Sequence, residues 1–121
     1  MPQQPSPDLP ADANLEAKLQ SIAQLLRQAD HLSPEAQKAL AEIVEELGES
    51  LHSANISSEE AKSLADSTAH LVRALHQREN QGLLAAARDR MKQAITHIEY
   101  QAPFAAQIAG RLLDTLASFG I

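Results

Sequence analysis

The chain has 121 residues, no cysteine and a formal net charge of −6 at neutral pH. This length is typical of a single domain, and the lack of cysteine excludes disulfides, thiolate metal sites and a thiol nucleophile. The negative charge argues against non-specific binding to nucleic acid, and no run of about 18 apolar residues could span a membrane. We therefore expect a soluble protein, and we predict a cytoplasmic location, which a chain without cysteine fits.

Aromatic residues are scarce: Tyr100, Phe104 and Phe119 are the only ones. A core made of Leu, Ile, Val and Ala suits helical bundles, where small side chains let helices approach closely. A deep cofactor pocket usually recruits aromatic side chains, so we expect no cofactor. The fold predicted is all-α, a small bundle of four to five amphipathic helices with coiled-coil-like packing.

Residues 1–11 are predicted to form a disordered tail, and residues 12–121 a single helical domain. Four prolines within the first ten residues block a helix and favour extended backbone. The same segment has no positively charged side chain and no apolar stretch, so we do not expect a signal peptide.

Two helices are predicted in the acidic first half of the chain. One covers 12–30, where apolar residues recur every three or four positions on one face. The other covers 34–53, because Ser33 is a good N-cap and Pro34 suits the first helical position. The two apolar stripes consist of Leu15, Leu19, Ile22, Leu26 and Ala29, and of Ala36, Leu40, Ile43, Leu47 and Leu51. Gly48 interrupts the second helix with a residue of low helix propensity.

A third helix is predicted to begin after Ser57, which can form a capping box with Glu60, while Ile56 can act as a hydrophobic staple. Its apolar stripe stops at a polar run over 76–81 that is followed by a glycine. We therefore favour a break and a fourth helix over about 83–101. A single long helix across 58–101 is the alternative.

A fifth helix is predicted over about 103–119. The ring of Pro103 would clash with the carbonyl of Glu99 in a continuous helix, so the chain must stop or kink there. The predicted apolar stripe consists of Phe104, Ile108, Leu112, Leu116 and Phe119. Gly120 can adopt the left-handed conformation after the helix, and Ile121 would then contact Leu116 in a Schellman cap.

The residues around this proline resemble a known family. The chain has a His-Ile-Glu segment at 97–99, then Pro103 and a helix rich in small residues, and it ends in Gly-Ile. This order is similar to that of an uncharacterised family of short all-helical bacterial proteins, a domain of unknown function. Residues 15–47 also look like the N-terminal part of that family, and residues 53–82 look like an insertion. The resemblance implies an all-helical fold and carries over no activity.

The candidate interaction or structural residues are His97, Glu99, Pro103, Gly110, Gly120 and Ile121. His97 could satisfy a carbonyl group freed by the kink, or contact another chain. Gly110 lies among alanines, where the fifth helix could meet another helix closely. The family often has further Glu and His residues before the proline, where Gln101 and Ala102 stand here. This departure argues against a metal or acid–base cluster.

The histidines do not show the spacing of a metal site. They are His31, His52, His70, His76 and His97, and none occurs in an HExxH or HxxxH pattern. Asp66 and His70 are four residues apart on the third helix, but two ligands alone make a poor site. We predict no metal ligand and interpret these two residues as a surface pair.

Charge is distributed unevenly along the chain. Residues 1–60 carry a net charge of −8 and residues 61–121 a net charge of +2. The basic cluster Arg88, Arg90 and Lys92 has no aromatic residue nearby for stacking nucleic-acid bases. A match with the acidic second helix, within a chain or between chains, is the favoured interpretation.

These observations predict a helical protein–protein interaction module that is not an enzyme and that associates with itself. Its partner is expected to be a second copy or another helical protein, and neither nucleic acid nor a membrane. A monomeric adaptor that docks on a larger protein is the alternative. A metal-dependent protein that uses His70 and His97 is the least favoured.

Overall fold

The computed structural model describes residues 11–30, 32–53, 58–77 and 81–120. They form five helices: α1 (Ala11–Arg27), α2 (Pro34–Ser53), α3 (Ser58–Leu75), α4 (Gln81–Ile98) and α5 (Pro103–Ser118). No strand occurs in these ranges, so the predicted all-α fold is confirmed. Ala11 already belongs to α1, and the rest of the predicted tail lies outside the described residues.

The helices pack in a ring. α1 packs against α2 and α3, α4 packs against α3 and α5, and α5 also packs against α2. Each helix therefore has two packing neighbours, and their apolar faces meet in one core. The largest fully buried side chains are Leu19, Leu26, Leu40, Leu47, Leu51, Leu64, Leu71, Met91, Ile98, Leu112, Leu116 and Val44. The stripes predicted for the first two helices are buried throughout.

The turn between α1 and α2 follows the predicted capping chemistry. The N–H of Ala36 donates to the hydroxyl of Ser33 at 3.1 Å, and the N–H of Gln37 donates to the carbonyl of Ser33 at 2.9 Å. These bonds satisfy N–H groups that have no partner inside the helix. The side-chain amide of Gln37 also donates to the carbonyl of Ala29 at 2.5 Å, which ties α2 to the end of α1.

α3 and α4 are two separate helices that pack against each other. α3 ends at Leu75, where the N–H of His76 approaches the carbonyls of both Val72 (3.3 Å) and Arg73 (3.1 Å). The favoured break is thus present, and the alternative of one helix across 58–101 is wrong. The polar run has no apolar face that could pack, so a continuous rod would bury nothing there. The predicted capping box at Ser57 and the staple at Ile56 lie outside the described residues.

The aromatic part of the stripe predicted for α5 is wrong. Phe104 is 68% exposed and Phe119 is 38% exposed. The inward face of α5 consists of Ala105, Ala106, Ile108, Ala109, Leu112 and Leu116. Phe104 precedes this face by one residue, about 100° around the helix. Phe119 is the C-cap residue, past the last helical turn.

The C-terminal cap of α5 agrees with the prediction as far as the described residues extend. Gly120 has a φ of 76°, and its N–H donates to the carbonyl of Ala117 at 3.0 Å. Both features belong to a Schellman motif. The predicted contact of Ile121 with Leu116 lies outside the described residues.

Candidate interaction surface

An open groove lies between α2 and α5, with a volume of about 1130 Å³. One wall is the C-terminal half of α2, with Glu46, Glu49, Ser50 and Ser53. The other wall is the N-terminal part of α5 and the turn before it. We refer to this feature as the α2/α5 groove.

Small side chains lie along the α5 side of the groove. Ala105 is fully buried where α5 meets the core. Gly110 lines the groove, and a Cβ atom added there would meet no heavy atom within 4 Å. The close helix approach predicted at Gly110 is therefore not made by the helices that the structure describes. A close approach to a second chain stays a prediction.

The groove combines apolar and acidic groups. Phe104 and Ile108 line it together with three carboxylates, those of Glu46, Glu49 and Asp114. Arg111 is the one cation in this lining, and it forms an ion pair with Glu46 across the groove. Both side chains of this pair are half exposed, so solvent screens their attraction. The groove would thus suit an occupant that is apolar in part and basic in part.

The aromatic side chains lie on the surface and not in the core. Tyr100 is 98% exposed and Phe104 is 68% exposed, and the two flank the turn between α4 and α5. Phe119 is exposed at the other end of α5. A simple apolar periodicity places both phenylalanines inward. The signal that could have located them correctly is the run of alanines, which already supplies α5 with a face for close packing.

The turn around Pro103 is held by backbone groups. The N–H groups of Gln101 and Ala102 both donate to the carbonyl of Ile98, at 3.1 Å and 2.8 Å. Pro103 is the first residue of α5 and lines the groove. His97 and Glu99 are both exposed on the α4 side of the turn. The backbone bonds that hold this turn do not need the His97 ring, and the predicted contact of His97 with another chain stays a prediction.

The groups considered as metal ligands are not brought together. Asp66 forms an ion pair with Lys18 of α1. His70 lies on α3 and His97 on α4. Within the ranges that the structure covers, no group of three or more His, Asp or Glu side chains could hold a metal ion. His31 is outside those ranges.

The basic cluster of α4 does not meet acidic α2 through helix packing inside the chain. α4 packs against α3 and α5. Arg90 and Lys92 are exposed and Arg88 is partly exposed. None of the ion pairs seen between described residues includes these three side chains. A match between the basic and acidic helices of two chains stays a prediction.

Comparison with known proteins identifies a family for most of the chain. The family described as a domain of unknown function (DUF4404) matches residues 40–121. The match includes residues 53–82, and most of the N-terminal segment that resembles such a family lies outside it. No curated protein and no solved structure matches the chain. Among the described helices, none has the length and apolar character needed to cross a membrane.

Proposed function

Since the chain belongs to the DUF4404 family, whose description assigns no activity, we propose from its surface that it is a non-catalytic protein–protein interaction module that associates with itself. The proposal includes a cytoplasmic location, with which the absence of cysteine is compatible.

The observation that carries this proposal is the exposure of all three aromatic side chains. A fold that needed aromatic residues for stability would bury them, whereas the buried apolar side chains among the described residues are Leu, Ile, Val, Ala and one Met. Exposing a Phe side chain forgoes about 1.5–3 kcal/mol of hydrophobic stabilisation. Aromatic residues are enriched at protein interfaces, where they supply large contact areas. Tyr100 and Phe104 are therefore best explained as contacts for another chain.

The α2/α5 groove supports the same conclusion. Phe104 provides an exposed apolar side chain inside it, and Gly110 leaves room for close approach by a helix. Grooves of this kind bind the apolar face of an amphipathic helix. Each of the five described helices has a buried and an exposed face, so a second copy can supply the occupant.

The test is the molar mass of the full chain, measured by size exclusion with light scattering over a wide concentration range. We expect a mass that rises with concentration towards a dimer or a larger assembly. Phe104→Ser should shift the protein towards monomer without lowering its helix content, since this side chain is mostly exposed. The matched control is Leu25→Ser on α1, which removes another exposed apolar side chain.

A strict monomer at all concentrations would contradict self-association. The groove would then be assigned to a different partner protein, as in the adaptor alternative. A pull-down with the Phe104→Ser variant beside the wild type would identify a partner that depends on this surface. Equal loss of assembly in the Phe104→Ser and Leu25→Ser variants would argue against a specific role for Phe104.

A further inference from the structure

α5 lies between two helices of opposite charge. It packs against α2 on one side and against α4 on the other. The exposed residues of α2 include Glu42, Glu46 and Glu49. Those of α4 include Arg90 and Lys92. The surface formed by α2, α5 and α4 therefore changes from acidic to basic across α5.

The basic charge extends to the side of α4 that adjoins α5. Arg90 and Lys92 are the two neighbours of Met91, which is fully buried. Adjacent residues are about 100° apart around a helix, so these two cations project from opposite sides of α4. One of them thus lies on the side next to α5.

The short connection between α4 and α5 bears on how the acidic and basic groups are placed along α5. α4 and α5 are joined by residues 99–102 and pack against each other, and helices joined in this way commonly run in opposite directions. Arg111 of α5 is level with Glu46 of α2, with which it forms an ion pair. Counted from the turn, Asp89 and Arg90 are about as many residues back along α4 as Arg111 is forward along α5. In an antiparallel pair, Glu46 and Arg90 would then lie at nearly the same level on the two sides of α5.

We propose that this surface binds a second copy of the chain about a two-fold axis that runs along α5. This arrangement rests on the proposed self-association and specifies its geometry. A two-fold axis along α5 places α2 of each copy opposite α4 of the other, so that acidic groups face basic groups twice. A two-fold axis across α5 would place α2 against α2 and α4 against α4. Like charges would then face each other, which disfavours that arrangement.

The same geometry covers the exposed aromatic side chain of α5. Rotation about an axis along α5 preserves height, so Phe104 of one copy lies level with Phe104 of the other. Phe104 is 68% exposed in the single chain and borders the α2/α5 groove. This apolar contact lies near one end of the axis, because the exposed face of α5 beyond Phe104 carries Gln107, Arg111 and Asp114.

The test is a charge-reversal and mixing experiment on the full chain, read by sedimentation equilibrium. One variant carries Glu42→Lys and Glu49→Lys on α2, and the other carries Arg90→Glu and Lys92→Glu on α4. Each alone should dimerise about tenfold or more weakly, because like charges face each other at both contacts. Mixed in equal amounts, the two variants should form a heterodimer close to wild type in affinity, since each contact again joins opposite charges.

Two controls complete the experiment. Lys62→Glu with Arg73→Glu reverses two exposed charges on α3, which packs against α1 and α4, and it should leave dimerisation unchanged. Circular dichroism checks that each variant is folded. If a reversal variant does not fold, Glu49→Gln and Arg90→Gln give the same comparison with smaller effects.

The outcomes separate this inference from the proposed function. A wild-type chain that stays monomeric overturns both. A wild-type dimer that both reversal variants leave intact, or that mixing does not restore, overturns the two-fold arrangement and keeps self-association. Loss of the dimer in each variant alone together with its recovery on mixing supports the arrangement. Weakening of the wild-type dimer by added salt is expected as well.

Discussion

The backbone of Gly48 in α2 approaches the side chain of Leu19 in α1 so closely that a Cβ atom on Gly48 would lie 3.3 Å from the Leu19 Cβ. Leu19 and Gly48 are both buried, and the Cα of Glu16 lies 3.8 Å from the same point. The glycine thus sets the distance between the two helices. Its low helix propensity is offset by this close packing.

Substitution of Gly48 should reveal that contact. Gly48→Val should destabilise the protein by about 1–3 kcal/mol, because its methyl groups would overlap the Leu19 side chain. Gly48→Ala should be near neutral, since a helix-propensity gain of up to about 1 kcal/mol is offset by the small shift that the contact requires. Urea unfolding followed by circular dichroism measures both. Equal stability of the Val variant and the wild type would refute the close packing.

The core assignment of α2 can be tested at Leu40, which is fully buried. Leu40→Ala should lower the free energy of unfolding by about 2–5 kcal/mol, because it leaves a cavity among packed side chains. Leu25→Ala is the matched control, since Leu25 is 44% exposed and should cost less than about 1 kcal/mol. A Leu40→Ala effect as small as the control would show that the helix register is wrong.

Gly120 and Gly110 form a matched pair for testing the cap of α5. A Cβ atom at either position would meet nothing within 4 Å, so an alanine there acts on the backbone alone. Gly120→Ala should cost about 1–2 kcal/mol because the residue has a left-handed φ of 76°. Gly110→Ala lies inside a helix and should stabilise the single chain by up to about 1 kcal/mol. Opposite shifts in melting temperature are expected, measured at a concentration where the chain is monomeric.

An acid titration should reveal how much the ion pair between Arg27 and Glu45 stabilises the fold. The Nη1 atom of Arg27 lies 2.7 Å from the Oε2 atom of Glu45. The hydrogen bond from Arg27 holds the pKa of Glu45 below its ordinary value. The stabilisation is therefore fully present above the ordinary pKa and is lost as the pH falls through the lowered one. Glu45→Gln should melt below the wild type at about pH 7, and the difference should vanish at about pH 2.

The partner variant controls for other effects of this change. Arg27→Gln should also melt below the wild type at about pH 7, because it removes the same ion pair. Adding Glu45→Gln to Arg27→Gln should lower the melting temperature little further. A Glu45→Gln deficit that persists in strong acid would show that the effect comes from packing and not from the charge pair.

Local chemistry made much of the fold predictable. Ser33 and Pro34 mark the start of α2, and its predicted bounds agree with the structure. Apolar spacing located the buried residues of the first two helices, and the polar run after Leu75 located the break between α3 and α4. In each case the signal lies within a few residues of the feature that it specifies.

The features that escaped prediction depend on residues distant in the sequence. The low helix propensity of Gly48 is visible in the sequence, but its close contact with Leu19 requires the packing of α1 on α2. Phe104 fits an apolar periodicity, yet its side chain is exposed. The neighbouring Ala105 and Ala106 form the face of α5 that packs against the core. The α2/α5 groove likewise exists only once both helices are placed.

The exposed position of Tyr100 decides which spectroscopic signals the protein can provide. It is the only tyrosine in a chain without tryptophan, so near-ultraviolet absorbance and fluorescence arise almost entirely from this one phenol. Because the ring is surrounded by water in the folded chain, unfolding should change its emission very little. A change in that emission would instead report that another molecule has come to rest beside the turn between α4 and α5.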